Sequence, residues 1–177
     1  MPKPHLRVFV DAVDFAATKH RTQRRKDVEA SPYINHPIAL AHVLAFEAKV
    51  SDEHVLVAAM LHDTLEDTQT SFAELKERFG LAIARTVAEV TDDKTLSKSR
   101  RKALQIEHAP HLSRRAKLVK LADKICNLRD VAANPPQDWP LSRRREYFDW
   151  AKEVVDGLRG VHPRLEAIFD AAQRARP

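Results

Sequence analysis

The sequence predicts an all-α protein that forms a single domain of about nine helices, and three observations favour this fold class. The chain has 177 residues, which is the length of one ordinary domain. Only 3 of these residues are glycine, against an average usage of roughly 7%, and the one Asp-Gly step, Asp156-Gly157, lacks the alternating apolar flanks of a β-hairpin. Apolar residues instead recur at spacings of three and four, which is typical of amphipathic helices.

The first three helices are predicted from their apolar spacing and their first residues. The first helix runs from about Leu6 to Arg25, with apolar residues on one face. The second begins at Pro37, because proline suits the first position of a helix, where its missing N–H is not needed. Ser51 is the expected cap of the third helix, since acidic residues follow it in the first turn and stabilise the positive end of a helix.

The fourth and fifth helices are separated by a glycine. Ser71 and Glu74 form a capping box, which satisfies free backbone N–H groups at the helix start. Gly80 ends the fourth helix, because glycine tolerates the backbone conformation found after a last turn. The fifth helix extends to Val90, and the polar stretch from residue 91 to about 99 is predicted to be a connection.

Four further helices complete the prediction. A short helix is expected from about Arg101 to Glu107. The strongest amphipathic run, Arg114 to Ala133, is predicted to be the central helix. After several prolines, an eighth helix begins near Leu141, and Pro163 begins the ninth. No internal repeat or linker divides the chain, so the domain is expected to span residues 1–177.

Composition restricts the location and the partners. No run of 18 apolar residues occurs, and Cys126 is the only cysteine, so we expect a cytoplasmic protein without disulfides, with no membrane partner. The formal net charge is +5. Basic residues cluster at residues 24–26, 98–102 and 114–117, and such clusters attract polyanions, whether nucleic acid, acidic lipid or a polyphosphorylated small molecule.

The segment 62–67, HDTLED, is the strongest candidate for chemistry. The third helix is expected to carry His62 and Asp63 and to continue through the segment, which would put the imidazole and three carboxylates within an arc of about 140°. The residues before it, VLVAAML, are apolar, so the His-Asp pair begins inside a core. Buried charges of this kind need a cation or hydrogen bonds. The alternative is a solvated acidic helix end.

Imidazole and carboxylate donors without thiolate suit Mn²⁺, Fe²⁺ or Zn²⁺. Two ligands are too few for such an ion, and the further candidates are His36 and Asp123. Taken singly, His36 is more often a helix cap or core histidine, and Asp123 more often an ion-pair partner of Lys120 or Lys124. Taken together with the His-Asp pair at 62–63, they favour a metal site.

A histidine, then His-Asp, then aspartate on separate helices resembles the HD-domain metal-dependent phosphohydrolases. More narrowly, the chain is similar to the hydrolase domain of the Rel/SpoT alarmone enzymes, and most to the stand-alone metazoan SpoT homologues and small alarmone hydrolases. The phrases that carry this resemblance are RK at 25–26, PYINHP at 32–37, HDTLED at 62–67, VTDDK at 90–94 and VKLADK at 119–124.

The resemblance implies a specific reaction and a set of site residues. The family hydrolyses the 3′-pyrophosphate of (p)ppGpp, usually with Mn²⁺, and yields GDP or GTP and pyrophosphate. It implies one divalent metal per chain and the catalytic acids Glu66 and Asp67. The implied metal ligands are His36, His62, Asp63 and Asp123.

The resemblance also implies substrate contacts, and a substrate with two pyrophosphates needs several cations in any case. The residues implied to contact the nucleotide or its phosphates are Arg25, Lys26, Lys98, Asn127 and Tyr147.

Besides hydrolysis of (p)ppGpp, the sequence leaves two alternative classes of function open: another phosphohydrolase activity and nucleic-acid binding. The same scaffold and metal chemistry would serve a ppApp-type adenosine alarmone or the 2′-phosphate of NADPH. A basic nucleic-acid-binding module with structural His and Asp residues is the third hypothesis. Aromatic residues are only 6% of the chain and are not interleaved with the basic runs, which argues against it; we therefore expect a small nucleotide partner and no nucleic acid. The sequence leaves the oligomeric state open.

Overall fold

The chain folds into helices joined by short connections. The structure, a computed structural model, describes the backbone of residues 5–177; the first four residues of the predicted domain lie outside the described residues. The helices are α1 His5–Lys19, α2 Asn35–His42, α3 Glu53–Leu61, α4 Thr64–Asp67, α5 Phe72–Phe79, α6 Leu81–Val90, α7 Lys98–His108, α8 Arg114–Ala133, α9 Leu141–Asp156 and α10 Pro163–Gln173.

These elements confirm the all-α prediction. Nine of the helices have eight residues or more, and α4 is a single turn. A π-helical segment, Val43–Glu47, continues α2, and a 3₁₀ turn, Ala109–His111, follows α7. Residues 5–177 contain no named strand, and an isolated bridge pairs Arg24 with Pro32. No helix in this range is both long and apolar enough to cross a membrane.

Helix α8 is the centre of the fold, with the bounds predicted for it. It packs against α2, α3, α6, α9 and α10. Residues 118–122 of this helix are buried one after another, so α8 is enclosed on most sides and does not present the one-sided apolar face that an amphipathic run predicts. Charged residues near the middle of α8 are therefore inside the protein.

Capping residues begin several helices, and one predicted cap is wrong. The Ser71 hydroxyl accepts a hydrogen bond from the Glu74 N–H, as predicted, and Gly80 with φ of 91° ends α5. The third helix is capped by Asp52, which accepts from the His54 N–H; Ser51 is exposed beside it. The carboxylate is the better cap because it also interacts with the positive helix end.

Helix α1 ends at Lys19, so the predicted extension to Arg25 is wrong. The chain turns back on itself, and the Tyr33 N–H donates to the Gln23 carbonyl while the Arg25 N–H donates to the Ser31 carbonyl. These backbone bonds replace the helical ones. The turn brings the basic cluster at 24–26 beside residues that begin α2.

Two smaller boundaries also differ from prediction. Helix α2 begins at Asn35, two residues before Pro37, which is still within the first turn, where a backbone N–H has no helical partner. Helix α7 begins at Lys98, three residues earlier than predicted, because the Ser97 hydroxyl caps it by accepting from the Arg100 N–H. Helix α7 therefore includes the whole of the second basic cluster, residues 98–102.

The cap of the central helix provides a stability test. The Ser113 hydroxyl accepts a hydrogen bond from the Ala116 N–H at the start of α8. We expect Ser113→Ala to lower the free energy of unfolding by about 1 kcal/mol, since one N–H loses its acceptor. The matched control, Ser51→Ala, removes an exposed hydroxyl that caps no helix, so its effect should stay within about 0.5 kcal/mol. Urea denaturation measures both, and equal effects would contradict the assignment.

Candidate active site

The site begins where helix α3 ends. The last carbonyls of a helix have no helical donors, and here side chains supply them: the Thr64 hydroxyl donates to the Leu61 carbonyl at 2.7 Å, and His62 Nδ1 lies 2.8 Å from the Ala59 carbonyl. Asp63, with φ of −97° and ψ of −1°, then leaves the helical path before the single turn α4. The prediction that one continuous helix carries the whole segment 62–67 is therefore wrong.

Three side chains from three helices meet at this break. His36 is on α2, His62 follows α3, and Asp123 is in the middle of α8. One ligand atom of each lies within 4.8 Å of the others. The Asp123 Oδ1 atom is 3.2 Å from His36 Nε2 and 3.9 Å from His62 Nε2.

The geometry of His62 fits a cation at this point. A carbonyl only accepts hydrogen bonds, so the Nδ1 atom facing Ala59 carries a proton, and in the neutral ring Nε2 has a lone pair. That Nε2 is buried without a hydrogen-bond partner. It faces carboxylate oxygens of Asp63 at 2.9 Å and Asp123 at 3.9 Å. A lone pair facing two carboxylates requires a positive charge between them, supplied by a proton or a metal.

The neighbouring charges in this cluster also shift the pKa values of His62 and Asp123. Burial lowers the pKa of His62, but the charges of Asp63 and Asp123 outweigh it and raise the pKa to about 9. Burial raises the pKa of Asp123, and the opposing charge of Lys124, with the hydrogen bond and charge of His36, brings it well below its ordinary value. The carboxylates are thus ionised and available as ligands.

Asp63, the fourth predicted metal ligand, lies between His62 and Tyr33. It approaches His62 and accepts a hydrogen bond from the Tyr33 hydroxyl. Burial and the neighbouring carboxylates raise the pKa of Tyr33, so the phenol keeps its proton. Tyr33 lies in a phrase that carries the family resemblance, but its chemical role was not predicted; only the fold brings residues 33 and 63 together.

The two predicted catalytic acids lie on α4 at the same cleft. The Glu66 carboxylate accepts from the Asp92 N–H at 3.0 Å and lies 3.6 Å from Arg101 Nη1. Burial raises the pKa of Glu66, and the charges of nearby aspartates act in the same direction against the Asp92 hydrogen bond. Asp67 accepts hydrogen bonds from Gln23 and Lys94. Both acids are half-buried, with solvent access on the cleft side.

The predicted substrate residues line the cleft around this cluster. A cavity of about 230 Å³ contains the metal-ligand candidates together with Asn127 and Tyr147. A neighbouring cavity of about 440 Å³ is lined by Arg25, Lys26, Asn127 and Tyr147. Lys98 lies on a third, of about 210 Å³, which Tyr147 also lines. The fold therefore brings all five predicted residues to three neighbouring cavities that have Tyr147 in common.

Several side chains of the cleft also form hydrogen bonds and ion pairs with one another or with neighbouring residues. Asn127 Nδ2 donates to Asp123 Oδ1 at 2.7 Å, and Arg25 pairs with Asp130. Lys124 Nζ lies 3.1 Å from Asp123 Oδ2, so the ion pair considered as the alternative for Asp123 exists beside the His36 contact. Both of the aspartate's oxygens are thus occupied by partners.

The two tryptophans of the cleft, Trp139 and Trp150, were not predicted as site residues. Lys98 and Arg143 lie over the Trp139 ring, and Lys102 and Lys124 over that of Trp150. Along the sequence the aromatic and basic residues are not interleaved; packing of α7, α8 and α9 brings them together. Cation–π contacts of this kind order long basic side chains at a surface.

Comparison with known proteins identifies the class first. A sequence model described as the HD domain matches residues 12–149, which contain every predicted site residue. An HD domain implies a divalent metal, and the residues His36, His62 and Asp123 fit that requirement.

Individual homologous proteins identify the family more narrowly than the HD-domain match does. The chain is 55% identical over 163 residues to the guanosine-3′,5′-bis(diphosphate) 3′-pyrophosphohydrolase MESH1 of Xenopus tropicalis, covering 92% of this chain and 91% of that one. The human MESH1 is 57% identical over 158 residues, covering 89% and 88%. A solved structure, described as a metazoan ortholog of SpoT that hydrolyses ppGpp, superposes with a TM-score of 0.93 at 49% identity, covering 99% and 97%. The chain belongs to the MESH1 family of HD-domain proteins.

Metal binding should stabilise the fold through this cluster. We expect Mn²⁺ at one hundred times its Kd to raise the free energy of unfolding by about 2.7 kcal/mol. Asp123→Asn should lose this gain, because the amide is a weaker ligand, whereas His111→Ala, at an exposed histidine outside the cluster, should keep it. Thermal unfolding with metal and with chelator measures the difference. Full stabilisation of the Asp123 variant would exclude Asp123 as a ligand.

Metal binding should also release a proton. With its pKa at about 9, His62 is protonated at pH 7.5 in the metal-free protein, and a metal needs the lone pair that the proton occupies. Affinity should therefore rise about tenfold per pH unit and level off above about pH 9. Calorimetry in two buffers of different ionisation enthalpy should give about one proton released per metal. No release would show that His62 is already neutral.

Proposed function

We propose that this protein is a Mn²⁺-dependent hydrolase of the 3′-pyrophosphate of (p)ppGpp. Water is added across the bond between the ribose 3′ oxygen and the pyrophosphate, which leaves GDP or GTP and free pyrophosphate. The observation that carries the proposal is the meeting of two buried histidines, His36 and His62, with the partly buried Asp123, beside Glu66 and with cations around the same cleft. The names and titles of the relatives support the substrate.

The metal ligands in this proposal are His36, His62, Asp63 and Asp123. When bound, the ion supplies Lewis-acid chemistry, which polarises a phosphoryl oxygen and makes water more acidic. The donor set, imidazole with carboxylate and no thiolate, suits Mn²⁺, Fe²⁺ or Zn²⁺, and the resemblance to the Rel/SpoT hydrolases, which usually use Mn²⁺, is the reason for proposing Mn²⁺ among them.

Glu66 is assigned the proton transfer. Its raised pKa and half-buried position suit a group that accepts a proton from water. The Asp92 N–H and Arg101 hold its carboxylate from the far side. Asp67, one residue on, is assigned the orientation of the attacking water.

The cations of the rim are assigned to the phosphates. Lys26 and Lys98 are exposed at the edge of the cleft, and Arg25 lies deeper, over the Tyr33 ring. Burial and neighbouring cations lower the pKa of Lys98, and a bound polyanion would relieve that repulsion. Asn127 and Tyr147 complete the assigned substrate contacts.

The proposal includes a cytoplasmic location, for which the single buried cysteine is suited. The partner is a small nucleotide. A nucleic-acid partner would instead give salt-dependent oligonucleotide binding that a chelator does not change.

A substrate panel tests the reaction. The purified protein is incubated with ppGpp, its adenosine counterpart ppApp and NADPH, with Mn²⁺ and then with chelator, and released phosphate and pyrophosphate are separated. Chelator-sensitive pyrophosphate release from ppGpp supports the proposal. Release only from ppApp or NADPH would keep the metal chemistry and replace the substrate. If the metal-loaded protein releases neither phosphate nor pyrophosphate from any of the three substrates, the proposed activity is overturned.

Glu66→Gln separates proton transfer from metal binding. The amide keeps the size of the side chain but cannot accept a proton, so turnover should fall by about 10² to 10⁴. Stabilisation by Mn²⁺ should persist, because Glu66 is not among the assigned ligands. The matched control is Glu77→Gln, at an exposed site on α5, which should leave turnover unchanged. Retained turnover in the Glu66 variant would remove it from the mechanism.

A further inference from the structure

A buried histidine behind the site has no assigned role. His20 follows α1 and is only 2% exposed. Its Nδ1 lies 2.7 Å from the Gln23 Oε1 atom, and Gln23 Nε2 donates to Asp67 Oδ2 at 3.2 Å. A continuous chain of hydrogen bonds therefore joins the turn after α1 to one of the proposed catalytic acids.

The chemistry of the three groups sets the direction of this chain. An ionised carboxylate only accepts hydrogen bonds, so the end of the Gln23 amide facing Asp67 is the NH₂ group. The amide oxygen then faces His20, and the nitrogen that approaches it must carry a proton. With the other tautomer, His20 would attract the NH₂ group and turn the amide oxygen toward Asp67. His20 thus selects which end of Gln23 meets the carboxylate.

The surroundings of His20 hold its ring in place. The ring packs on Tyr33 with centroids 4.9 Å apart and an interplanar angle of 38°. Its Nε2 is buried without a hydrogen-bond partner, so Gln23 is the described polar partner of the side chain. Tyr33 in turn donates to Asp63. The ring therefore lies behind two carboxylates of the site without contacting either.

The two oxygens of Asp67 have unequal support. Oδ1 pairs with Lys94, an exposed residue in the connection between α6 and α7. Oδ2 is held by Gln23, whose backbone pairs with Tyr33 in the turn before α2. Exposed ion pairs contribute little because water and salt screen them. The Gln23 bond is therefore the one that fixes the carboxylate.

We propose that His20 and Gln23 are positioning residues that hold the Asp67 carboxylate in its working orientation, His20 by fixing the tautomer and the amide orientation of Gln23. This inference rests on the proposed function, in which Asp67 orients the attacking water. It assigns a role to two residues that act on Asp67 through hydrogen bonds behind it.

Kinetics test the positioning role. Gln23→Leu replaces the amide with a slightly shorter apolar side chain that can neither donate nor accept, and we expect kcat to fall at least about tenfold, with KM changed by less than about threefold. Gln23 also lines the larger cavity, so a rise in KM at constant kcat would make it a substrate contact and overturn the proposal.

Two His20 variants separate the hydrogen bond from packing. His20→Phe keeps the ring on Tyr33 and removes the donor; His20→Asn removes the ring and keeps an N–H near the position of Nδ1. We expect kcat to fall in the phenylalanine variant and to be largely rescued by asparagine. The double variant His20→Phe/Gln23→Leu should be no slower than Gln23→Leu, since both act through one bond. Wild-type kcat in the phenylalanine variant, or multiplying effects in the double variant, would overturn the proposal.

The tautomer can be measured without substrate or metal. Long-range ¹H–¹⁵N correlation of the His20 ring in the full chain should show a proton on Nδ1 and none on Nε2, and this pattern should change in Gln23→Leu. A proton on Nε2 in the wild type would overturn the proposed orientation even if the phenylalanine variant fails to fold.

Loss of ppGpp hydrolysis in the wild type would overturn the proposed function and leave the tautomer measurement unaffected, whereas failure of the role assigned to Asp67 and failure of the positioning inference are separated by three variants. If Asp67→Asn keeps full turnover, Asp67 has no catalytic role and the positioning inference falls with it. If Asp67→Asn loses turnover while Gln23→Leu and His20→Phe keep it, the function stands and the positioning inference alone is wrong.

Discussion

The structure depends on one hydrogen bond, from His62 Nδ1 to the Ala59 carbonyl at 2.8 Å. This bond satisfies a carbonyl that the end of α3 leaves free, and it fixes the tautomer of the ring. The Nε2 lone pair consequently faces the carboxylates of Asp63 and Asp123. Helix termination and the orientation of a candidate metal ligand are therefore the same interaction, and the site exists because the apolar helix stops where it does.

The interior of the site is a balance of buried charges. Isolated carboxylates are expensive to bury, and here each has partners: Asp123 has His36 and Lys124, and Asp63 has His62 and Tyr33. The rigid helices α3 and α8 supply this balance from the core. The cations of the rim are on shorter or more exposed segments and can adapt to a substrate. The division suits an enzyme that keeps its metal centre fixed and binds a flexible polyphosphate around it.

Sequence patterns predicted helix bounds correctly where local interactions alone determine where a helix begins or ends. The bounds of α8 and the Ser71 cap of α5 agree with prediction because apolar burial and capping are read directly from neighbouring residues. The prediction is wrong at the ends of α1 and α3. In both places the residue pattern continues, but side chains or a distant backbone segment take the hydrogen bonds of the last turn. At α3 the competing donors are the side chains of His62 and Thr64, three residues from the carbonyls they face, and after α1 the partners are backbone groups of Ser31 and Tyr33. Apolar periodicity reports neither kind of hydrogen bond.

The candidate site, like the helices, has features that the sequence predicts and features that only the tertiary structure decides. The sequence by itself determined the all-α class, the central helix and the residue types suited to a divalent cation, since these follow from local periodicity and from side-chain chemistry. Tertiary structure alone decided that His36, His62 and Asp123 meet within 4.8 Å, that Tyr33 and Gln23 support two acids, and that Trp139 and Trp150 lie under the cations. The physical reason is that these contacts join three or more helices, and their distances depend on packing around α8, which no local pattern encodes.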